Sequence, residues 1–378
     1  MKILITGGAG FIGQHLTRHL LARHYEITIL DNFLDQVHAG NRVLPSDLEK
    51  HVRLVVGDVA DPASLRAALE GQDCIVHLAA ETGTGQSMYE VSRYERTNIA
   101  GTALLYELLS KENRHQVERI VVASSRAIYG EGAYRCECDG VVYPVSRSVE
   151  EKQAGQFDPL CPQCGGACET IPTPETAPHQ PSSFYGLTKQ VQEQMALMFG
   201  QVREIPTVAL RYQNVYGPGQ SLQNPYTGIL AIFSNLARAG RPIHVFEDGL
   251  ESRDFVYIDD VVRATVASIT EKNVRGVHAV NVGSGERTTV LDVALRTNAF
   301  YGGRSEVKIT GDFREGDIRH GEADLSLAQS LLSYATRYRF GDGLRNFLEW
   351  ASEGEFNESN YERSLQELKG LGLLHESV

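Results

Sequence analysis

The stretch KILITGGAGFIG, residues 2–13, decides the fold of this chain. Its first half is a short aliphatic run typical of a buried strand. Closely spaced glycines follow, and then apolar residues with helical spacing at Ile12, Leu16 and Leu20. The stretch therefore predicts a strand, a tight glycine turn and a helix in direct succession.

The same alternation of short apolar runs and helical patterns continues through the first half of the chain. Runs that predict further strands lie at residues 27–30, 54–56, 75–78, 120–123 and 208–210. Strands that alternate with helices are typical of a parallel sheet covered by helices on both faces. The fold class that we predict is therefore α/β, with a doubly wound parallel sheet.

Composition excludes several functions. Lys and Arg total 36 of the 378 residues and Asp and Glu total 48, which gives a formal net charge of −12. Without a dense basic cluster, such a chain is not expected to bind nucleic acid. No apolar run approaches the roughly 20 residues of a membrane helix, and the glycine loop comes too early for a signal peptide. We expect a cytoplasmic protein without a membrane partner.

The glycine loop has the features of a dinucleotide site. Gly7, Gly10 and Gly13 let a pyrophosphate approach the N–H groups at a helix N-terminus. Asp31 ends the second predicted strand, where a carboxylate accepts hydrogen bonds from the adenosine ribose and repels a 2′-phosphate, so the cofactor should be NAD rather than NADP. The alternative is an ordinary glycine turn with a solvated Asp31. The predicted NAD contacts in the first strands and turns are Gly7, Gly10, Phe11, Ile12, Gly13, Asp31, Asn32, Asp58, Val59, Leu78, Ala79 and Ala80.

Two reactive side chains lie four residues apart on a predicted helix. Tyr185 and Lys189 would share one face of it, although a surface pair is the simpler alternative. Ser124 and Ser125 end the fifth predicted strand, at the sheet edge where open α/β folds bind ligands. Oxidising an alcohol by hydride transfer needs a base for the hydroxyl proton, and a nearby ammonium group lowers the phenol pKa from about 10. These residues indicate alcohol oxidation and reduction.

The glycine loop, the two serines and the Tyr-x-x-x-Lys pair together resemble the extended short-chain dehydrogenase/reductase superfamily, specifically its nucleotide-sugar epimerases and dehydratases. The resemblance covers nearly all of the sequence outside one insertion. It implies that Tyr185 is the general base and later acid, that Lys189 also holds the nicotinamide ribose, and that Ser125 hydrogen-bonds the reacting sugar oxygen. It further implies that Ser124 lies nearer the cofactor and that Asn98 orders the site, although Asn98 could instead make local helix bonds.

The resemblance also implies a domain organisation. A Rossmann NAD-binding domain is expected over residues 1–210, with a contribution from about 243–276. A cysteine-rich insertion at 134–181 interrupts it. Residues 211–242 and 277–378 are expected to form a smaller C-terminal α/β domain that binds the nucleotide sugar.

Later motifs match the family's binding of a nucleotide-diphosphate sugar, linked to dTDP or UDP. The resemblance implies that Asn214 offers an amide to the diphosphate and that Arg253 and Arg314 clamp it, since a guanidinium pairs two oxygens at once. Asp317 is expected to bind the nucleotide ribose, and Arg319 is a further candidate phosphate contact. Each arginine alone would more often be a solvated surface charge.

The residues after Ser125 bear on the reaction. Family dehydratases carry an Asp-Glu pair there, whereas this chain has Arg126 and Ala127. Neither can serve as the acid or base of dehydration, so 4-epimerisation is favoured. UDP-hexose or UDP-hexuronate 4-epimerisation, UDP-glucuronate decarboxylation and dehydration remain alternatives. A non-enzymatic NAD-binding sensor is the remaining one.

Five of the six cysteines lie in the insertion. Cys136-x-Cys138 and Cys161-x-x-Cys164 predict a structural zinc site of four thiolates that resembles a zinc ribbon, with Cys168 spare. The first pair is one residue tighter than usual, and free thiols or a redox pair are the alternative. With this insertion, the chain resembles bacterial dTDP-L-rhamnose 4-epimerase-like proteins.

The expected assembly is a homodimer. Family members pair through helices, and apolar residues lie near 100–109 and 187–199. The alternative is that both stretches face only their own core.

Overall fold

A computed structural model of the chain describes residues 1–112, 116–224, 226, 228–354 and 361–377. The strands are β1 Lys2–Thr6, β2 Glu26–Asp31, β3 Val52–Val56, β4 Cys74–His77, β5 Arg119–Ser125, β6 Tyr134–Cys136, β7 Gly140–Val142, β8 Cys168–Thr170, β9 Thr207–Tyr212, β10 Asn214–Tyr216, β11 Ile243–Val245, β12 Ser252–Tyr257, β13 Val277–Val282, β14 Arg287–Thr289, β15 Val307–Ile309, β16 Phe313–Arg314 and β17 Leu374–His375.

The α-helices are α1 Phe11–Leu21, α2 Asp35–His38, α3 Ser46–Glu49, α4 Pro62–Leu69, α5 Thr84–Ser87, α6 Val91–Tyr94, α7 Gly101–Lys111, α8 Val149–Gln153, α9 Phe184–Arg203, α10 Ile229–Arg238, α11 Ile258–Thr270, α12 Val290–Phe300, α13 Ser326–Leu332, α14 Phe340–Glu353 and α15 Tyr361–Gly370. A π-helical segment, Glu95–Ala100, leads into α7, and a 3₁₀ turn, Arg126–Tyr129, follows β5.

Seven strands form one parallel sheet in the order β13-β9-β5-β4-β1-β2-β3. The six strands that the sequence predicted all belong to it, so the predicted doubly wound α/β fold is confirmed. The strand order reverses between β1 and β4, and ligands of such sheets bind at the carboxyl ends beside this reversal. The glycine loop after β1 is therefore placed at the expected crevice.

Alternating side chains of β1 divide the core into two layers. Ile3 and Ile5 belong to one buried cluster, which includes Leu16 of α1 and Val261 of α11. Leu4 points to the other face and joins a cluster with residues of α4 and α7. Burial on both faces explains why the strands of this sheet are almost wholly apolar.

The domain boundaries differ from the expected ones. β13 completes the main sheet, although it lies in the segment 277–378 that was assigned to the second domain. Within 243–276, α11 packs on the main domain, against α1 and β5. β11 pairs with β15, and β12 lies between β10 and β14 in a separate three-stranded sheet. Each of the two expected ranges, 243–276 and 277–378, therefore contributes elements to both domains.

The insertion contains a three-stranded antiparallel sheet in the order β7-β6-β8, and α8 lies between β7 and β8 along the chain. Its small core contains Tyr134, Cys136, Val142 and Cys161. Ser148 begins α8 with a reciprocal capping box, in which its hydroxyl accepts from the Glu151 N–H and the Glu151 carboxylate accepts from the Ser148 N–H. Across the described residues, no helix combines the length and apolar character needed to cross a bilayer.

Candidate active site

A cavity of about 670 Å³ lies at the carboxyl ends of the main strands, between the glycine loop and the segments that follow β9. Most of the predicted site residues line it. They are Gly7, Gly10, Phe11, Ile12, Gly13, Asp31, Asn32, Val59, Leu78, Ala79, Ala80, Ser124, Ser125, Tyr185, Lys189, Asn214, Arg253, Arg314 and Asp317. The structure does not bring Asp58, Asn98 or Arg319 to its surface.

The glycine loop packs so closely against neighbouring backbone that side chains would not fit at Gly7 and Gly13. A Cβ on Gly7 would come within 2.8 Å of the Ala79 backbone nitrogen, and one on Gly13 would come within 2.6 Å of Gly8. Gly7 also has a φ of +67°, which disfavours other residues. Gly10 stands before the first turn of α1 without a side-chain cap. These features fit a pyrophosphate at the helix N-terminus.

Asp31 ends β2 at the rim of the cavity. Its carboxylate accepts hydrogen bonds from the backbone N–H of Ala9 at 3.0 Å and of Phe33 at 2.9 Å. His38 lies 3.5 Å from the same carboxylate and also lines the cavity. The carboxylate thus joins the glycine loop to the turn after β2, where the ribose of a dinucleotide would lie.

Tyr185 and Ser125 both line the cavity. The N-cap Ser183 starts α9 just before Tyr185. Burial raises the pKa of Tyr185 above its usual value, while the nearby Ser125 side chain and the Arg126 guanidinium act to lower it. The charged neighbour that lowers this pKa is thus Arg126, whereas the sequence analysis expected Lys189.

Lys189 lies one turn further along α9 and is only 2% exposed. Burial lowers the pKa of its ammonium group to about 7, although the Glu193 carboxylate acts to raise it. Its Nζ donates to the Gln192 Oε1. Glu193 also accepts from the Ser124 hydroxyl at 2.6 Å, so this serine lines the cavity with its proton directed away from it.

Asn98 does not line the cavity but is hydrogen-bonded to Glu81, which does. Its amide accepts from the Glu81 N–H at 2.8 Å and donates to the Glu81 carbonyl at 3.1 Å. The same amide donates to the Thr188 hydroxyl at 2.9 Å. Asn98 therefore joins the segment after β4 to α9 beside Tyr185, which is an ordering role rather than a direct contact.

The side of the cavity where the sequence predicts the diphosphate carries positive charge. The Arg253 guanidinium donates to the carbonyls of Ile318 at 2.9 Å and Arg319 at 3.1 Å. Within the described residues it has no carboxylate at ion-pair distance, so its charge is available to an anion. Arg314 instead pairs with Asp317 at 2.9 Å. Burial acts to raise the pKa of Asp317, but Arg314 and Arg253 outweigh it and hold the pKa below its usual value.

Two predicted contact residues, Arg319 and Asp58, lie outside the cavity lining and have other partners. Arg319 is 1% exposed, and its guanidinium pairs with Asp158 at 2.7 Å, Asp248 at 2.7 Å and Glu247 at 3.0 Å. Its donors are directed at these carboxylates, so it is a structural arginine rather than a phosphate contact. The Asp58 carboxylate accepts from the Ala60 N–H at 2.8 Å and the Asn32 amide at 3.1 Å, so it stabilises the turn after β3.

The cysteine cluster also differs from the expected set. One ligand atom from each of Cys136, Asp139, Cys161 and Cys164 lies within 4.8 Å of the others. Cys138 is exposed and lies outside this group because it occupies the tip of the β6–β7 hairpin. The structure therefore does not bring Cys138 together with the other three predicted cysteines, and Asp139 lies beside them instead.

Several cavity residues carried no recognisable signal in the sequence. His38, Glu251 and Tyr361 all line the cavity. Burial raises the pKa of Glu251 to about 7. Tyr361 begins the C-terminal helix α15, which also contributes Ser364 and Leu368 to the wall. A chain-end helix can be placed over a distant site only by tertiary structure, so no local pattern could have identified these residues.

Comparison with known proteins agrees with this geometry. The model of the NAD dependent epimerase/dehydratase family matches residues 3–154 and 163–283. The dTDP-L-rhamnose 4-epimerase of Burkholderia thailandensis is 40% identical over 354 residues, 93% of this chain and 95% of that protein. A putative UDP-glucose 4-epimerase of Methanocaldococcus jannaschii is 27% identical over 350 residues, 92% of this chain and 97% of that protein.

Solved structures give the same result. UDP-glucuronic acid 4-epimerase from Bacillus cereus, in complex with UDP-glucuronic acid and NAD, has a TM-score of 0.73 at 26% identity, over 93% of this chain and 99% of that one. UDP-glucose 4-epimerase from Thermotoga maritima, with UDP-glucose, has a TM-score of 0.73 at 27% identity over the same shares. The resemblance of the sequence is thereby confirmed, and this chain belongs to the NAD dependent epimerase/dehydratase family.

Proposed function

We propose that this chain is an NAD-dependent nucleotide-sugar 4-epimerase and that its substrate is dTDP-L-rhamnose. The observation that carries the reaction is that Ser125 and Tyr185 line one cavity with Lys189, the glycine loop and Arg253. The substrate proposal rests on the relative that is 40% identical over nearly the whole chain. UDP-hexoses are the next candidates, because relatives with lower identity are named for them.

The residues fit NAD on the geometry of the glycine loop. Gly7, Gly10 and Gly13 would hold the pyrophosphate, and Asp31 the adenosine ribose. When bound, NAD supplies the acceptor and donor of hydride at the C4 carbon of the sugar. The chain itself supplies the binding, the orientation and the proton transfer.

Tyr185 is the proton-transfer group in this proposal. Its phenolate takes the C4 hydroxyl proton during oxidation and returns it during reduction. Ser125 donates a hydrogen bond to the reacting oxygen and keeps it beside the phenol. Lys189 lies one helical turn away and lines the same cavity, where its amino group can hold a ribose hydroxyl, while the Arg126 guanidinium is the charge that favours the phenolate.

Epimerisation requires the keto sugar to turn over while its nucleotide stays bound. Arg253 carries a charge that no carboxylate within the described residues neutralises at ion-pair distance, and it would hold the diphosphate. Arg314 and Asn214 line the same side of the cavity and would assist, with Asp317 at the nucleotide ribose. A tether at the diphosphate leaves the sugar ring free to rotate.

The residues beside Ser125 argue against dehydration. The Ala127 N–H donates to the Ser125 side chain at 3.1 Å, and its methyl group cannot transfer protons. Burial lowers the pKa of Arg126 to about 10, which keeps the guanidinium protonated at neutral pH. The two positions after Ser125 therefore supply neither the acid nor the base for losing water from the 4-keto sugar.

The test is a product panel with the purified chain. NAD retention is measured first, and dTDP-L-rhamnose, UDP-hexoses and UDP-glucuronate are then incubated with the protein and followed by NMR. We expect a reversible mixture of C4 epimers without net consumption of NAD. Heavy water should leave no deuterium on carbon, because only hydroxyl protons exchange.

Other products would overturn the assignment in distinguishable ways. A pentose product with release of carbon dioxide from UDP-glucuronate would identify a decarboxylase. Deuterium at C5 or C6, or a 6-deoxy-4-keto product from a 6-hydroxy sugar, would identify a dehydratase or a 3,5-epimerase. Bound NAD without turnover of any sugar would support the sensor alternative.

We also propose that the chain is a cytoplasmic homodimer that pairs through α9 and α7. Leu187, Met198 and Val202 on α9 are 43%, 68% and 73% exposed, so this stripe is not fully used by its own core. Two such helices from each subunit would form a four-helix interface. A monomeric mass at micromolar concentration would contradict this assembly.

The insertion, we further propose, binds one structural zinc ion. Cys136, Cys161 and Cys164 offer three thiols in one group, and soft thiolates select zinc. The residues fit a metal because the surrounding core contains few apolar side chains, and so small a module usually needs a staple. Zinc measured in freshly purified protein tests this proposal.

A further inference from the structure

The two cysteine turns of the insertion share one geometry. One runs Cys136-Glu137-Cys138-Asp139-Gly140 and the other Cys161-Pro162-Gln163-Cys164-Gly165. In each, a buried cysteine is followed three residues later by a second member of the ligand group. The next residue in each is a glycine with left-handed backbone, with φ of +73° at Gly140 and +71° at Gly165. Asp139 therefore occupies the same position in the first turn that Cys164 occupies in the second.

The first thiol of the second turn accepts a hydrogen bond from its own turn. The Cys161 Sγ accepts from the Gln163 N–H at 3.5 Å. Such an N–H bond stabilises negative charge on sulfur, which is the form that ligates a metal.

The distances between the four candidate donor atoms fit one tetrahedral ion. The Cys136 and Cys164 sulfurs are 3.5 Å apart. The Asp139 Oδ2 lies 3.2 Å from the Cys161 sulfur and 3.6 Å from the Cys136 sulfur. Two sulfurs that are each about 2.3 Å from a tetrahedral zinc lie about 3.8 Å apart. Small adjustments of the side chains would therefore complete the site.

We propose that Asp139 is the fourth ligand of a Cys₃Asp zinc site with Cys136, Cys161 and Cys164. The inference rests on the proposed structural zinc and specifies its ligands. It also explains why the two cysteines of the first pair are too close in sequence, since the ligand spacing of that turn is completed by the carboxylate. Cys138 is then a solvent-exposed thiol at the hairpin tip.

Cys168 is the rival for the fourth position. It faces Cys136 across the β6–β8 pair, and its Sγ lies 3.8 Å from the Gly166 carbonyl. It lies on a strand rather than in a turn, and it is outside the group of four mutually close ligand atoms. The geometry therefore favours Asp139, and a substitution at each position separates the two.

The first measurement is the metal content and zinc affinity of the full-length protein. We expect one zinc per chain in the wild type, and no zinc would overturn both the zinc proposal and this inference. Cys138→Ser and Cys168→Ser should retain wild-type zinc affinity in competition with a chelating indicator. Asp139→Asn, which keeps the shape and removes the charge, should weaken that affinity by about tenfold or more.

The second measurement counts thiolates by replacing zinc with cobalt(II). The sulfur-to-cobalt absorption should be unchanged in Cys138→Ser and Cys168→Ser. In Asp139→Cys it should rise by about one third, because a fourth thiolate joins three. Loss of absorption in Cys138→Ser or Cys168→Ser, with no rise in Asp139→Cys, would assign the fourth position to that cysteine and leave the zinc proposal intact. Asp139→Cys keeps the test decisive if Asp139→Asn does not fold.

Discussion

Replacing Arg147 with Met should separate substrate affinity from cofactor affinity. The Arg147 side chain is 3% exposed and lies in the insertion. It pairs with Glu131 at 3.2 Å and with Glu247 at 2.9 Å. It also donates to the backbone carbonyl of Asp317 at 3.2 Å, which holds the segment carrying Arg314 and Asp317 against the cavity.

The expected loss of stability follows from the partners that remain. Removing one member of a buried ion pair costs about 3–5 kcal/mol. Glu247 keeps Arg319 at 3.0 Å, so Glu131 is the carboxylate that loses its charged partner. Burial already raises the pKa of Glu131 while Arg147 lowers it, so the carboxyl can protonate when Arg147 is gone. We therefore expect the lower end, about 3 kcal/mol.

The assays are thermal unfolding, steady-state kinetics and NAD titration. At about 2 °C per kcal/mol, the melting temperature of Arg147→Met should fall by about 6 °C. The KM for the nucleotide sugar should rise, because Arg147 holds the segment with Arg314 and Asp317, which is proposed to bind that substrate. The dissociation constant of NAD should stay constant, because within the described residues Arg147 has no bond to the glycine loop or to Asp31. Arg18→Met removes an arginine from an exposed pair with Asp47 and should change stability by less than about 1 kcal/mol.

Two outcomes would refute this reasoning. One is an equal loss of stability in Arg147→Met and Arg18→Met. The other is a parallel weakening of NAD and sugar binding, which would indicate general unfolding rather than a displaced segment. Adding Glu131→Gln to Arg147→Met should restore part of the lost stability, because it removes the carboxylate that lost its partner.

Three further predictions concern the NAD side of the cavity. Tyr185→Phe should retain NAD binding and lose turnover by about 10²–10⁴-fold, so turnover at the wild-type rate would contradict its role as base. Asp31→Ala should weaken NAD binding, because the N–H groups of Ala9 and Phe33 lose their acceptor. It should also lower the ratio of the NADP dissociation constant to the NAD dissociation constant, because the carboxylate no longer repels the 2′-phosphate. An unchanged ratio would contradict this repulsion. Burial places the pKa of Lys189 at about 7, so between pH 7 and 9 the unfolded chain binds more protons at this site and stability should rise with pH, by up to about 1.4 kcal/mol per pH unit. Lys189→Met should flatten that rise in urea unfolding, and an equal slope in both proteins would oppose it.

Sequence patterns predicted the elements whose signals are local. The strand, glycine turn and helix over residues 2–13 depend on neighbouring residues, and they are found as β1, the loop and α1. β13 has an apolar sequence but lies in an irregular part of the chain. Its place in the main sheet depends on pairing with β9, about 70 residues earlier. The spacing of apolar residues within a segment does not predict such a distant pairing.

The site residues divide in the same way. Tyr185 and Lys189 were identified because helical spacing itself puts them on one face. Arg319 was misassigned because its carboxylate partners are 71, 72 and 161 residues away, so its direction is set by tertiary structure. Asp139, the fourth ligand proposed above, was not predicted because the expected ligands were all thiols, although its place in the turn matches that of Cys164.

The insertion connects the two sides of the candidate active site. On the catalytic side, Arg211 donates to the Glu175 carbonyl at 2.8 Å and lies 2.9 Å from the His179 ring. The same guanidinium holds Glu193, the residue that accepts from the Ser124 hydroxyl. On the nucleotide-sugar side, Arg147 binds the Asp317 carbonyl. Glu175, His179 and Arg147 are all residues of the insertion. A substitution in the insertion can therefore change the distance between the proposed base, Tyr185, and the proposed diphosphate contacts, Arg253 and Arg314, although it contacts neither NAD nor the sugar.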